Sequence, residues 1–197
     1  CSLTDFYNII EPPQLSAISN TSNVSCFGFN DGSISISILG GVSDYTINAA
    51  GYSQVLTGGV SLFATPSLLS PNDYPYSVID SNGCVFNDTV TVTQPNQLTV
   101  NENIQNVSCF GLADGMASLS ISGGIPAYIE NWGTANPFSL GGGIYNYTIT
   151  DANGCIFNDS VEIFEPNLLT SSFNSTNVTT CSGTDGSIAV SVFGGSL

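Results

Sequence analysis

Three stretches of this chain spell one pattern in the same order: CFGFNDGSISISILGG from Cys26, CFGLADGMASLSISGG from Cys109 and CSGTDGSIAVSVFGG from Cys181. Each is an acidic-Gly turn leading into an alternating strand that ends in a Gly pair. Such self-similarity defines a tandem array, in which every copy must fold into one small unit of the same kind. The remaining cysteines keep the same period. Cys84 closes DSNGC, Cys155 closes DANGC, and Cys1 stands as far before EPPQL as Cys84 and Cys155 stand before QPNQL and EPNLL. The spacing from Leu15 to Leu98 is 83 residues and from Leu98 to Leu169 is 71, which sets the repeat lengths.

The array divides into residues 1–12, the last strand of a preceding repeat; 13–95, a complete repeat; 96–166, a second complete repeat; and 167–197, the start of a further one. The Pro-containing joints cannot continue a ladder and stiffen the connection between neighbours. Within each copy apolar residues alternate with small polar ones, as in Ile34, Ile36 and Ile38 against Ser33, Ser35 and Ser37. The same period-2 pattern links Ala117, Leu119 and Ile121, and then Ile188, Val190 and Val192. A Tyr74, Tyr76, Val78 strand matches Tyr145, Tyr147 and Ile149, and a closing strand carries Val90 and Val92 or Val161 and Ile163. Short antiparallel strands separated by turn signals, with no helical period, predict an all-β array of small immunoglobulin-like β-sandwich repeats. The longer first copy has extra residues between Gly41 and Tyr74, among them Tyr52, Leu62, Phe63 and Leu68, which predict an additional strand or a packed loop.

Charge narrows the function. The chain has 15 acidic residues and no Lys, Arg or His. Without cationic side chains it has nothing to neutralise phosphates, so nucleic acid and anionic membrane surfaces are excluded as partners. The commonest general base, Schiff-base amines and guanidinium clamps are also missing, which argues against an enzyme. Disorder is disfavoured, because charged residues are 8% and apolar residues 42%. The sequence holds no apolar run long enough for a helical membrane span, and no membrane insertion is expected of this segment.

Six cysteines at a strict period in a chain of extracellular character predict disulfides. Two periodic pairings are open. In one, each copy closes on itself, Cys26 with Cys84 and Cys109 with Cys155, leaving Cys1 and Cys181 to repeats outside the chain. In the other, neighbouring cysteines pair across the joints. In a sandwich the turn after the first strand and the turn between the last two strands are expected at the same end, which favours closure within a copy. Across a joint those turns would be on the order of 35 Å apart at ~3.3 Å per strand residue, against the ~7 Å that a disulfide allows between Cα atoms. Such a closed loop contributes roughly 4 kcal/mol in the chain-entropy view.

Asp80, Asn82, Asp151 and Asn153 lie in Asp-x-Asn-Gly turns that resemble half of a calcium loop, and Asp31, Asp114 and Asp185 recur at what is expected to be the same domain end. Calcium is therefore a candidate cofactor. The simpler role of the same residues is to cap tight turns through their own backbone. Trp132 and the tyrosines could stack on sugars, although their inward positions suit core packing. Asn-x-Ser/Thr sequons begin at Asn20, Asn23, Asn87 and Asn106, among others.

The ordered motifs C-F-G-x-x-D-G, a Gly pair, Y-x-Y/V-x-D-x-N-G-C and a closing E-P resemble the SprB repeat of Bacteroidetes. That resemblance implies a very large cell-surface adhesin, exported by type IX secretion and acting in surface attachment and gliding motility. It also implies O-glycosylation at Thr89 and Ser160, which occupy Asp-Thr-Val and Asp-Ser-Val triplets at the same offset after Cys84 and Cys155. Expected partners are neighbouring repeats, an external surface or polysaccharide, and gliding or secretion machinery acting through other parts of a longer protein. A passive stalk that spaces another domain from the cell is the competing reading. The central aromatic strand departs from the family pattern, with Glu130 between Tyr128 and Trp132, and with Ser43, Tyr45 and Ala49 in the first copy.

Overall fold

A computed structural model describes residue 5 and residues 7–195 of the chain. All regular structure among them is β, and the chain divides into two compact units, Cys1–Gln97 and Leu98–Leu197. The first unit contains β1 (Ser16–Ser22), β2 (Ser33–Leu39), β3 (Tyr45–Ala49), β4 (Tyr52–Leu56), β5 (Leu62–Ala64), β6 (Asn72–Ile79) and β7 (Val85–Val92). These form two antiparallel sheets, ordered β1-β2-β5 and β4-β3-β6-β7. That order is the immunoglobulin-like sandwich the alternation predicts. Ile34, Ile36 and Ile38 project from β2 into the space between the sheets and meet Ile47, Tyr76, Val78, Val90 and Val92, all buried. Each such isoleucine contributes roughly 1.5–3 kcal/mol by leaving water.

The second unit repeats the plan with fewer strands. β8 (Thr99–Gln105) pairs with β9 (Met116–Ser122), while β10 (Ile129–Asn131), β11 (Gly143–Thr150) and β12 (Ile156–Ile163) form the other sheet. Its core gathers Leu98, Val107, Ala117, Trp132, Leu140, Tyr147, Ile149, Val161 and Ile163. Where the first unit has β5 beside β2, the second bonds Ala117 N–H to the Pro137 carbonyl at 2.8 Å and bridges Gly115 to Leu140. The extra residues of the first copy therefore become β4 and β5, with Phe63 buried and Leu62 and Leu68 exposed.

A tyrosine fixes the start of the second long strand in both units. The Tyr74 hydroxyl donates to the Ser70 carbonyl at 2.8 Å, and that of Tyr145 to the Gly141 carbonyl at 3.2 Å. This is the tyrosine corner of immunoglobulin-like sandwiches. The departures in the central strand are also accommodated. Tyr45 and Tyr128 make the same bond, to the carbonyls of Gly40 and Gly123. Trp132 packs on Tyr147 at 5.0 Å between ring centroids, whereas Ala49 is the smaller buried residue of β3 and the inserted Leu56 and Phe63 add apolar volume.

In the third copy, β13 (Asn167–Thr176) and β14 (Ser187–Gly195) form a hairpin. Ile188, Val190 and Val192 alternate as expected but stay exposed, since no second sheet covers them among the described residues. In the segment 1–12, residues 5 and 7–12 carry no strand, because no described ladder borders them; Cys1 lies outside the described residues.

The glycine of each Asp-Gly turn is demanded by space. A Cβ on Gly32 would lie 2.7 Å from Val92 Cγ1 and 2.8 Å from the Leu69 carbonyl oxygen; on Gly115 it would lie 2.8 Å from both Ile163 Cγ2 and the Leu140 carbonyl oxygen. Gly32→Ala and Gly115→Ala are each expected to destabilise their unit by about 1–3 kcal/mol, the usual cost of overpacking. Urea unfolding of the single variants measures this, and an unchanged midpoint would contradict it.

Candidate functional site

The candidate residues gather at the two ends of each sandwich and on one sheet edge. In the first unit, one end holds the start of β1, the β2–β3 turn and the β6–β7 turn; here it is termed the N-pole. The opposite end, the C-pole, holds the β1–β2 turn and the exit from β7. At the N-pole the Asp80 carboxylate accepts the N–H groups of Val42 at 2.9 Å, Asn82 at 3.0 Å and Cys84 at 2.8 Å. The second unit reproduces this with Asp151, which accepts from Ile125, Asn153 and Cys155 at 2.8, 2.9 and 2.8 Å. The Val42 N–H is the largest influence holding the Asp80 carboxyl below its ordinary range. For Asp151 burial opposes ionisation, but the N–H donors of Ile125, Cys155, Asn153 and Gly154 outweigh it and the carboxyl is again lowered.

These carboxylates are ringed by the positive ends of N–H dipoles, which keeps them ionised. Asn82 and Asn153 contribute main-chain N–H groups to the same ring. Among the described residues no three acidic or thiol side chains come together as a metal cluster. In each repeat the Asp-x-Asn-Gly motif builds a turn, its carboxylate engaged by main-chain N–H groups.

At the C-pole a second carboxylate closes the β1–β2 turn. Asp31 accepts the Ser25 N–H at 2.9 Å; Asp114 accepts both the N–H and the hydroxyl of Ser108, at 3.0 and 2.6 Å; and Asp185 accepts the N–H and hydroxyl of Thr179. The hydroxyl bond is the leading cause that lowers all three carboxyls. This pole also ties the end of each repeat to its beginning. Val24 N–H donates to the Thr93 carbonyl at 3.1 Å and Gly28 N–H to Gln94 Oε1 at 2.9 Å; in the second unit Val107 and Gly111 meet the Phe164 carbonyl and Glu165 Oε1.

The cysteines correct the expected pairing. Cys26 and Cys155 are disulfide-bonded, whereas Cys84, Cys109 and Cys181 are free and exposed. Neither the Cys26–Cys84 nor the Cys109–Cys155 bond is therefore formed, and the poles explain why. Cys26 and Cys109 sit in the C-pole turns, Cys84 and Cys155 in the N-pole turns, and the eight residues of β7 or β12 separate them. At ~3.3 Å per residue that is roughly 26 Å, far beyond disulfide reach.

Thr89 and Ser160 lie on β7 and β12, each at the edge of its sheet, and both are exposed. Asp88 and Asp159 accept the N–H of the following residue, Thr89 or Ser160, at 2.8 Å. In the first unit Thr89 borders an open groove with Tyr52, Tyr76 and Asp88. The Tyr76 hydroxyl lies 3.4 Å from Asp88 Oδ2, and its ionisation is pushed up chiefly by burial. Trp132 and Tyr147 belong to the core, and the Tyr147 hydroxyl, desolvated and donating to Glu102 at 2.7 Å, is likewise pushed up.

Comparison with known proteins returns the SprB repeat family, matched over residues 18–54 and 101–129. The first segment runs from β1 into β4, and the second from β8 to the start of β10. Among solved structures, the C-terminal 282-residue fragment of intimin, in complex with the translocated intimin receptor intimin-binding domain, aligns at a TM-score of 0.37 and 15% identity, over 82% of this chain and 67% of that one. No curated protein matches the chain.

Two expectations follow. Asp80→Asn removes an ionised acceptor and should lower the melting temperature at neutral pH. Because the Asp80 carboxyl is lowered on folding, its stabilisation is complete above the unfolded value of about 3.9 and is lost as pH falls through the folded value. The gap between variant and parent should thus shrink by about pH 2.5, as thermal melts at both pH values would reveal. Calcium, titrated to millimolar levels and followed by calorimetry, tests the metal reading: heat and a shift in melting would support it, and their absence would remove it.

Proposed function

We propose that this chain is a length of an extracellular adhesin filament, in which immunoglobulin-like repeats are carried in series at the cell surface and serve attachment and gliding. The observation that carries the reading is the coincidence of the two SprB repeat matches with two successive sandwiches of the same plan. Within each, the chain arrives at one pole and leaves at the other, as a serial element requires. The acidic, cation-free surface keeps such an array from adhering to like-charged copies and suits contact with neutral or hydrogen-bonding surfaces such as polysaccharide. Secretion and movement would act through other parts of a longer protein. No catalysis is part of this reading.

On the same reading Thr89 and Ser160 carry O-linked glycans on the exposed sheet edges, where sugar would also block edge-to-edge pairing. Intact-mass measurement of the secreted segment should show a glycan increment that Thr89→Ala and Ser160→Ala each reduce. The functional test is imaging of live cells labelled with an antibody raised against the segment. Signal that travels along the cell body and carries attached beads supports the motile adhesin. Signal fixed on static fibres would replace it with a passive stalk.

A further inference from the structure

The outer face of the larger sheet carries one pattern in both complete repeats. Strand register aligns Asn48, Ser77 and Asn87 across β3, β6 and β7, and it aligns Asn131, Thr148 and Asn158 across β10, β11 and β12. Both rows read amide, hydroxyl, amide. Alternation turns each row outward, because Ile47, Tyr76, Val78, Tyr147 and Ile149 beside it are buried. Within the rows, Asn48 Nδ2 donates to Ser77 Oγ at 3.4 Å and Thr148 Oγ1 donates to Asn158 Oδ1 at 2.7 Å.

The next outward row is aliphatic. It consists of Thr46, Ile79 and Val85 in the first repeat and of Ile129, Thr150 and Ile156 in the second. Val85, Ile129 and Ile156 are each more than half exposed. None of the residues in these rows is charged, in a chain with 15 acidic side chains. A face shaped only for solubility and against edge pairing would carry charge; here aliphatic groups lie open beside hydrogen-bonding ones.

The first repeat deepens the face into a groove. Its inserted β4 sets Ser53 opposite Asn48, and an open groove of about 670 Å³ is lined by Ser53, Asn48, Ser77 and Asn87 together with Tyr52 and Thr89. That volume suits a small ligand. At ~4.8 Å between strands the row of four is about 14 Å long, room for about three pyranose rings.

We propose that this face, in both repeats, binds a neutral saccharide, with sugar hydroxyls on the amide–hydroxyl row and the C–H side of the ring on the aliphatic row. An Asn side chain offers a donor and an acceptor next to each other, the pair that two neighbouring sugar hydroxyls need. Charge selects the class. With no Lys, Arg or His and a net charge of −15, the chain repels a uronate, sulfated or phosphorylated glycan and has no cation to pair with it. The inference rests on the adhesin reading and deepens it, by assigning contact with polysaccharide to one face of the sandwich.

The test uses the whole segment, produced without glycosylation so that no sugar on Thr89 or Ser160 fills the face. It is mixed with beads of cellulose, cross-linked dextran or cross-linked starch, and the protein left in solution is measured; carboxymethyl-cellulose is the anionic counterpart. At least one neutral polymer should deplete the protein, equally at low and high salt, and carboxymethyl-cellulose should not. Asn48→Ala combined with Asn131→Ala should weaken that binding about fivefold or more, and Val85→Ser with Ile156→Ser should weaken it by a separate route. Asn20→Ala with Asn103→Ala, at exposed positions of the opposite sheet, should leave it unchanged, every variant keeping the parent's thermal transition. No depletion by any neutral polymer, or equal depletion by the carboxymethylated one, overturns the proposal. So does sedimentation showing that two copies of the chain pair and that Asn48→Ala with Asn131→Ala releases them. Live-cell imaging decides the adhesin reading separately, since a travelling signal does not depend on which face holds sugar.

Discussion

The bond on which this fold depends is the one between a carboxylate and a main-chain N–H. A chain with no Lys, Arg or His cannot place a salt bridge anywhere between its side chains, so each acidic group that approaches the protein must be met by N–H or O–H donors. Asp80 and Asp151 satisfy three N–H groups each, and Asp31, Asp114 and Asp185 close the opposite turns. The sheets rest on turns, and the turns rest on these five carboxylates. Charge-assisted bonds of this kind exceed neutral ones by about twofold, which compensates in part for the small core of a single repeat.

Between the poles, the two repeats reach one architecture with different parts. The first fills its sandwich with extra strands and the buried Leu56 and Phe63; the second does so with Trp132 stacked on Tyr147 and with irregular chain near Pro137 and Leu140. What is common is the frame: the tyrosine corner, the Asp-Gly turn with no room for a Cβ, and the paired hydroxyl bonds of Tyr45 and Tyr128.

The strands were legible because a half-buried sheet writes its period into the sequence; Ile34, Ile36 and Ile38 are inward as alternation requires. The turn carboxylates were legible as turn formers for the same local reason. The poles were not, because the end at which a turn emerges depends on the number of strands crossed. Five strands, β2 to β6, separate Cys26 from Cys84, and an odd number of crossings delivers the chain to the opposite end. The insertion adds β4 and β5 together and so preserves that parity, leaving both repeats with cysteines at opposite poles. Local pattern identifies each strand, but only the connected sheet order assigns its direction.

That same placement of arrival and departure at opposite poles has a mechanical meaning. A pull applied to a repeat through Leu15 and Thr93 runs along β1 and β7, parallel to the strands. The Val24–Thr93 and Asn23–Thr93 bonds, at 3.1 and 2.9 Å, then lie across the load and are strained together in shear, with no path for opening one after another. A sandwich loaded in this direction yields as a unit. Each repeat is therefore built as a tensile link, whose strength is set by how many bonds must break at once.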